Sequence, residues 1–141
     1  MIGTNPSEFN ATGNGNRPVE KVNWTEAVAF CTQLTTQEQA AGRLPSGWAY
    51  VLPTESQWEY ACRAGTTTAY SWGDSIIASN ANYSSSGIGQ TRDVGQYAAN
   101  PLGFFDMHGN VWEWTADWYQ AAYPTGNPVV NPTGPASGST R

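Results

Sequence analysis

Two stretches of the chain place apolar residues at helical spacing. In the first, Trp24, Ala27, Val28, Cys31 and Leu34 recur every three or four positions and form one stripe. Asn23 can accept a bond from the free amides of a first turn, and Glu26 completes a capping box. This helix is expected to fade near Gln39 and to stop before Gly42. The second stretch opens at Pro53-Thr54, with Thr54 as cap and Gln57 in the box position. Trp58, Ala61 and Cys62 form its buried side, and Gly65 closes it. Glu59 and Arg63 lie four apart, the spacing of a helix-surface ion pair, which explains them better than acid–base catalysis does.

Elsewhere the pattern is short or absent. Residues 48–52 (Trp-Ala-Tyr-Val-Leu) read as a strand or a buried loop, and residues 94–97 as a short strand. Residues 1–21, 66–96 and the stretch after Tyr123 are rich in Asn, Gly, Pro and Ser and read as loops.

Residues 106–114 (Asp-Met-His-Gly-Asn-Val-Trp-Glu-Trp) hold two acids and two tryptophans within nine residues. In an extended chain Val111 and Glu113 point to one side, and Trp112 and Trp114 to the other. The tryptophans are then candidate core anchors. Glu113 cannot turn inward unless something neutralises it. A hard cation would do so: Asp106 and Glu113 supply carboxylate oxygens, and the carbonyls of Gly109 and Val111 point the same way. Calcium takes six to eight oxygens of this mixed kind. The plainer alternative is a strand with its acid in water and its tryptophans in the core.

Composition narrows the field. A chain of 141 residues suits a single domain with a core of its own. A net charge of −5 argues against a nucleic-acid partner, as do tryptophans that are not interleaved with basic residues. No apolar run is long enough to span a membrane, and no signal peptide opens the chain. Seven Trp, seven Tyr and fifteen Gly point to a loop-rich fold held by aromatic packing. Cys31 and Cys62 can pair or remain buried thiols. They form no CxxC and no Cys/His metal cluster. His108, the lone histidine, has no sequence-evident base or nucleophile beside it and reads as a turn or surface residue.

Several segments then read together. They include Pro18-Val19-Glu20-Lys21-Val22-Asn23-Trp24, Arg43-Leu44-Pro45, Trp72-Gly73, Ala81-Asn82-Tyr83 and Val94-Gly95. The two longest are Leu52-Pro53-Thr54-Glu55-Ser56-Gln57-Trp58-Glu59-Tyr60-Ala61-Cys62-Arg63 and Gly103-Phe104-Phe105-Asp106-Met107-His108-Gly109-Asn110-Val111-Trp112-Glu113-Trp114. In this order the series resembles the formylglycine-generating enzymes, or sulfatase-modifying factors, from about Gly3 to the last residue.

The resemblance implies an α+β fold, a loop-rich variant of the C-type-lectin-like fold with two helices on short twisted antiparallel strands. It implies one domain over residues 1–141, without the family's N-terminal strand and its C-terminal catalytic segment. It implies calcium at Asp106 and Glu113 by side chain and at Gly109 and Val111 by main chain. A second family calcium site would use Asn82 and the carbonyl of Tyr83, but residues 84–90 offer no acid to complete it. Family enzymes oxidise a sulfatase cysteine to formylglycine with a copper ion held by two C-terminal cysteines. Cys31 and Cys62 match the family's structural helix cysteines, so copper is expected only if a parent protein carries the missing segment. No catalytic residue is assigned to this chain. The expected partners are a cysteine-containing sulfatase peptide, or another protein or ligand on the loop face formed by residues 72–86 and 118–126. Self-association through open edges is a further expectation.

Overall fold

The computed structural model describes residues 4–11, 13–122 and 129–141. Helix α1 spans Trp24–Ala40 and helix α2 spans Glu55–Arg63, with a 3-10 turn at Ser84–Ser86. Both capping expectations hold. The Asn23 side chain accepts from the Glu26 amide at 3.0 Å, and Glu26 accepts from the Asn23 amide at 2.8 Å. Gln57 donates its amide to the Thr54 hydroxyl at 3.2 Å, and the Thr54 amide donates to the Gln57 side chain at 2.9 Å. Ala41 caps the end of α1, and Gly42 follows at φ +68, a left-handed conformation that glycine adopts without strain.

The chain forms two compact units. One lies within Met1–Asn5, Val22–Gln57 and Trp114–Arg141; the other comprises Pro6–Lys21 and Trp58–Glu113. In the first, the expected stripe of α1 is half-buried: Trp24, Ala27, Val28, Cys31 and Leu34 share that class. The Trp24 indole donates to the Thr115 carbonyl at 2.9 Å, and the Trp114 indole to the Val22 carbonyl at 2.9 Å. The Arg141 guanidinium lies 3.8 Å from the ring centres of both Trp24 and Trp118 and donates to the Ala116 carbonyl. The second unit contains the buried residues Ser7, Cys62, Ala81, Asn82 and Thr91. Three of these five are polar, so this interior is organised by hydrogen bonds as much as by apolar contact.

No strand forms among the described residues; Tyr70 and Gly73 make an isolated antiparallel bridge. The physical reason is that side chains take the main-chain groups a ladder would pair. Thr35 accepts from the Tyr50 amide at 2.9 Å, and Gln39 donates to the Trp48 carbonyl at 3.1 Å. Residues 48–51 are therefore tethered to α1 with Trp48 and Val51 left exposed, rather than paired or buried. Residues 94–97 turn instead of extending. The tryptophan expectation is also corrected: Trp112 is fully exposed and anchors no core, and Trp114 is 36% exposed.

Candidate functional site

The expected cation stretch is a chain of turns from residue 106 to 111, not an extended segment. Asp106 and Asn110 both adopt left-handed backbone, at φ +59 and +73. Asp and Asn enter this region more readily than other non-glycine residues, and neighbours hold both of them there. Here the holders are identifiable. Asp106 Oδ2 accepts from the Gly95 amide at 2.8 Å, and the Asp106 carbonyl accepts from the Gly109 amide at 3.1 Å. Asn110 accepts from the Arg92 amide at 2.8 Å and donates to the Arg92 carbonyl at 3.1 Å, imitating one rung of a sheet.

This geometry changes the expected donor set. The Val111 amide donates to the Gly109 carbonyl at 3.0 Å, so the two carbonyls do not line one edge of a strand as the extended reading required. Glu113 is exposed, and its Oε2 accepts from the Trp58 indole at 2.5 Å. Asp106 Oδ1 is buried and has no hydrogen-bond partner among the described residues.

Asp106 lines a small recess, with room for about one water, whose walls also include Trp72, Asn82, Tyr97, His108 and Gly109. Asn82 and Gly109, assigned from sequence to separate calcium sites, therefore meet in one place. The Asn110 amide donates to the Asn82 carbonyl at 2.8 Å, and a Cβ on Gly109 would collide with that same oxygen. The Asn82 side chain is occupied: it donates to the Gln90 carbonyl at 2.8 Å and accepts from the Ser86 hydroxyl at 3.1 Å. The Tyr83 carbonyl accepts from the Ser86 amide at 2.9 Å and lies 2.7 Å from the same Ser86 hydroxyl, whose single proton it shares with the Asn82 oxygen. Tyr83, Val111 and Glu113 are not among the recess walls.

His108, expected in a turn or at the surface, lies in the turn but is half-buried with several partners. The Ser71 amide donates to its Nε2 at 3.1 Å, which requires a lone pair there and puts the neutral ring's proton on Nδ1. Trp72 and Tyr70 meet its ring edge-on, with centroids at 4.6 and 5.4 Å. Cys62 Sγ lies 3.7 and 3.6 Å from Nδ1 and Nε2, and donates to the Met107 carbonyl at 3.4 Å. Burial pushes the Cys62 thiol pKa up, and burial together with the Arg63 charge pushes the His108 pKa down. An activated thiolate needs both shifts reversed. The pair is a neutral structural contact.

Copper chemistry of the kind the resemblance implies needs a cysteine pair. Cys31 and Cys62 are both free thiols, Cys31 half-buried and Cys62 buried. Among the described residues no three His, Cys, Asp or Glu side chains group together to hold a metal. The residues present do not fit that ion. Calcium takes six to eight oxygens, and the buried, unpartnered Oδ1 of Asp106 is one donor of the right kind.

Asn100 carries a role that sequence reading missed. Its Nδ2 donates to the Ala61 and Cys62 carbonyls at 2.6 and 3.2 Å, capping α2, while its Oδ1 accepts from the Leu102 and Phe104 amides. Asn100-Pro101 reads as a turn in sequence, and only the distant helix end shows the second task.

Comparison with known proteins agrees with this architecture. The profile of the sulfatase-modifying factor enzyme 1-like domain matches residues 3–137. The formylglycine-generating enzyme of Streptomyces coelicolor is 33% identical over 92% of this chain and 41% of its own length. The mouse formylglycine-generating enzyme is 33% identical over 89% of this chain and 34% of its own. Residues 1–141 thus span well under half of these relatives. The solved structure of Treponema denticola variable protein 1 aligns with a TM-score of 0.80 at 32% identity, over 98% of this chain and 64% of that one. The chain belongs to the sulfatase-modifying factor enzyme 1-like family.

Proposed function

We propose that residues 1–141 are a calcium-braced scaffold of the sulfatase-modifying-factor type that presents a loop surface to a ligand, and that they do not oxidise cysteine by themselves. The observation that carries the cation reading is Asp106 Oδ1, a buried carboxylate oxygen with no partner among the described residues. Leaving such an atom dry costs about 1–3 kcal/mol or more, so an occupant is favoured there. When bound, the ion supplies the positive charge that Asp106 lacks. The left-handed Asp106 and Asn110 hold the turn open, and Gly95 fixes the second carboxylate oxygen. Gly109, pressed on Asn82, keeps the turn against the neighbouring loop. Trp72 and Ile77, exposed on that loop side, support a ligand-facing role for residues 72–86. Residues 123–126 of the other expected loop lie outside the described residues.

The test is thermal melting with calcium against a chelator at matched ionic strength. Calcium at a hundred times its Kd should add about 2.7 kcal/mol of stability. Asp106→Asn should erase the shift. An identical melt with and without calcium in the wild-type chain would sink the reading.

The relatives are formylglycine-generating enzymes, which favours a second reading for a longer parent protein: oxidation of a sulfatase cysteine peptide to formylglycine, the chemistry the sequence resemblance implies, with copper on a cysteine pair that this span lacks. Copper(I), oxygen and such a peptide should leave the peptide mass unchanged with residues 1–141 alone. Conversion would overturn the scaffold reading.

A further inference from the structure

We propose that Trp24 and Trp118 form a binding slot for a guanidinium group, filled here by the chain's own Arg141 and able to take an external guanidinium compound once that side chain is withdrawn. The slot belongs to the unit without the Asp106 turn and stands independently of the calcium reading.

Its geometry sets it apart from a chance contact. Attraction between a cation and an aromatic face extends to about 6 Å from the ring centre. Arg17 over Phe9 and Arg92 over Tyr97 sit near that limit, at 6.0 and 5.8 Å. The Arg141 guanidinium carbon lies 3.8 Å from two ring centres, both of them tryptophans, the strongest aromatic partners. Its Nη1 also donates to the Ala116 carbonyl. Among the described residues no carboxylate pairs with it. Recognition rests on two flat faces and a neutral acceptor.

The walls are held without the Arg141 side chain. Trp24 opens α1 behind its capping box, and its indole donates to the Thr115 carbonyl at 2.9 Å. Ala116 donates its amide to the Pro53 carbonyl at 2.8 Å, which fixes the acceptor. Asp117 accepts from the Glu55 amide at 2.8 Å. Trp118 is backed by main chain: a Cβ on Gly138 would sit 2.9 Å from its own Cβ, and the Tyr119 amide donates to the Thr140 carbonyl at 2.9 Å. Truncating Arg141 therefore leaves two rings and a carbonyl around a space of guanidinium shape. Trp24, Trp118 and Arg141 are half-buried, so a solute can reach that space.

The shape selects the ligand. A guanidinium is planar, offers a face to each ring and keeps in-plane N–H groups for the carbonyl. An ammonium carries the same charge without the faces.

The test is a titration of ethylguanidinium, the fragment that Arg141→Ala removes, into that variant of the 141-residue chain. Melting and tryptophan fluorescence are read at millimolar ligand and matched ionic strength, with ethylammonium as the control. A compound that binds the folded chain alone raises its melting temperature. Ethylguanidinium should raise the melting temperature of Arg141→Ala saturably and shift its tryptophan emission. Wild type should not respond, because Arg141 holds the slot, and ethylammonium should do neither. If Arg141→Ala does not fold, the same titration is read on Arg141→Lys, whose ammonium presents no flat faces to the rings. No saturable shift in the folded variant overturns the proposal. An equal shift from ethylammonium reduces the slot to charge attraction and overturns it too. An equal shift in wild type places the binding elsewhere, with the same result.

Discussion

The Ser71 amide donates to Nε2 of His108 at 3.1 Å, and this one bond fixes the charge of the chain's lone histidine. Protonating Nε2 would break it. Burial, with Arg63 adding repulsion, holds the His108 pKa below its usual value. In the unfolded chain the ring titrates near ~6.5. Between the two values the unfolded state binds more protons, so stability falls as pH falls. The contribution should be fully present above about pH 6.5 and be lost on acidification through the folded pKa. Urea midpoints against pH for wild type and His108→Gln check this. The wild type should lose more stability than the variant below that pH, and parallel curves would refute it.

Gly109→Ala should be strongly destabilising. The added Cβ would strike the Asn82 carbonyl, a main-chain atom that cannot swing aside. Overpacking of this kind costs about 1–3 kcal/mol. A chemical denaturation midpoint matching wild type would show that the two loops can separate.

Trp112→Ala should be close to neutral, within about 0.5 kcal/mol, because the ring is fully exposed. Asn23→Ala should cost about 1 kcal/mol through loss of the α1 cap. Comparing the two in one melting experiment separates size from position: the larger residue should matter less.

Arg141→Lys should cost about 1–2 kcal/mol despite keeping the charge. A planar guanidinium can stack between Trp24 and Trp118, and an ammonium cannot present two flat faces. Equal stability of Arg141→Lys and wild type would reduce the sandwich to simple charge attraction.

Helices were readable because their signals are local. Asn23 with Glu26 and Thr54 with Gln57 carry their partners within one turn, and Glu59 meets Arg63 at 2.8 Å as the spacing requires. The loops were not readable in this way. Their side chains bond across long intervals: Asn100 to Cys62, Asn110 to Arg92, Ser71 to His108. No periodicity marks such pairs. The Trp112 expectation assumed that large apolar residues go inside, but a ring's size does not choose its side of the chain. Asp106 stood out as an acid in an unusual setting. Its left-handed backbone, which makes the setting, leaves no trace in composition.

The Asn82–Gly109 contact has an evolutionary consequence. The excursion from residue 83 to 90 is stitched at its foot, where Asn82 grips Ser86 and Gln90 and its own carbonyl receives the Asn110 amide. Its crown, at Ser84 and Ser85, is exposed. Insertions and new residues at the crown can be sampled without disturbing the knot beneath. A lineage could rewrite that tip many times while the aspartate turn next door stays put.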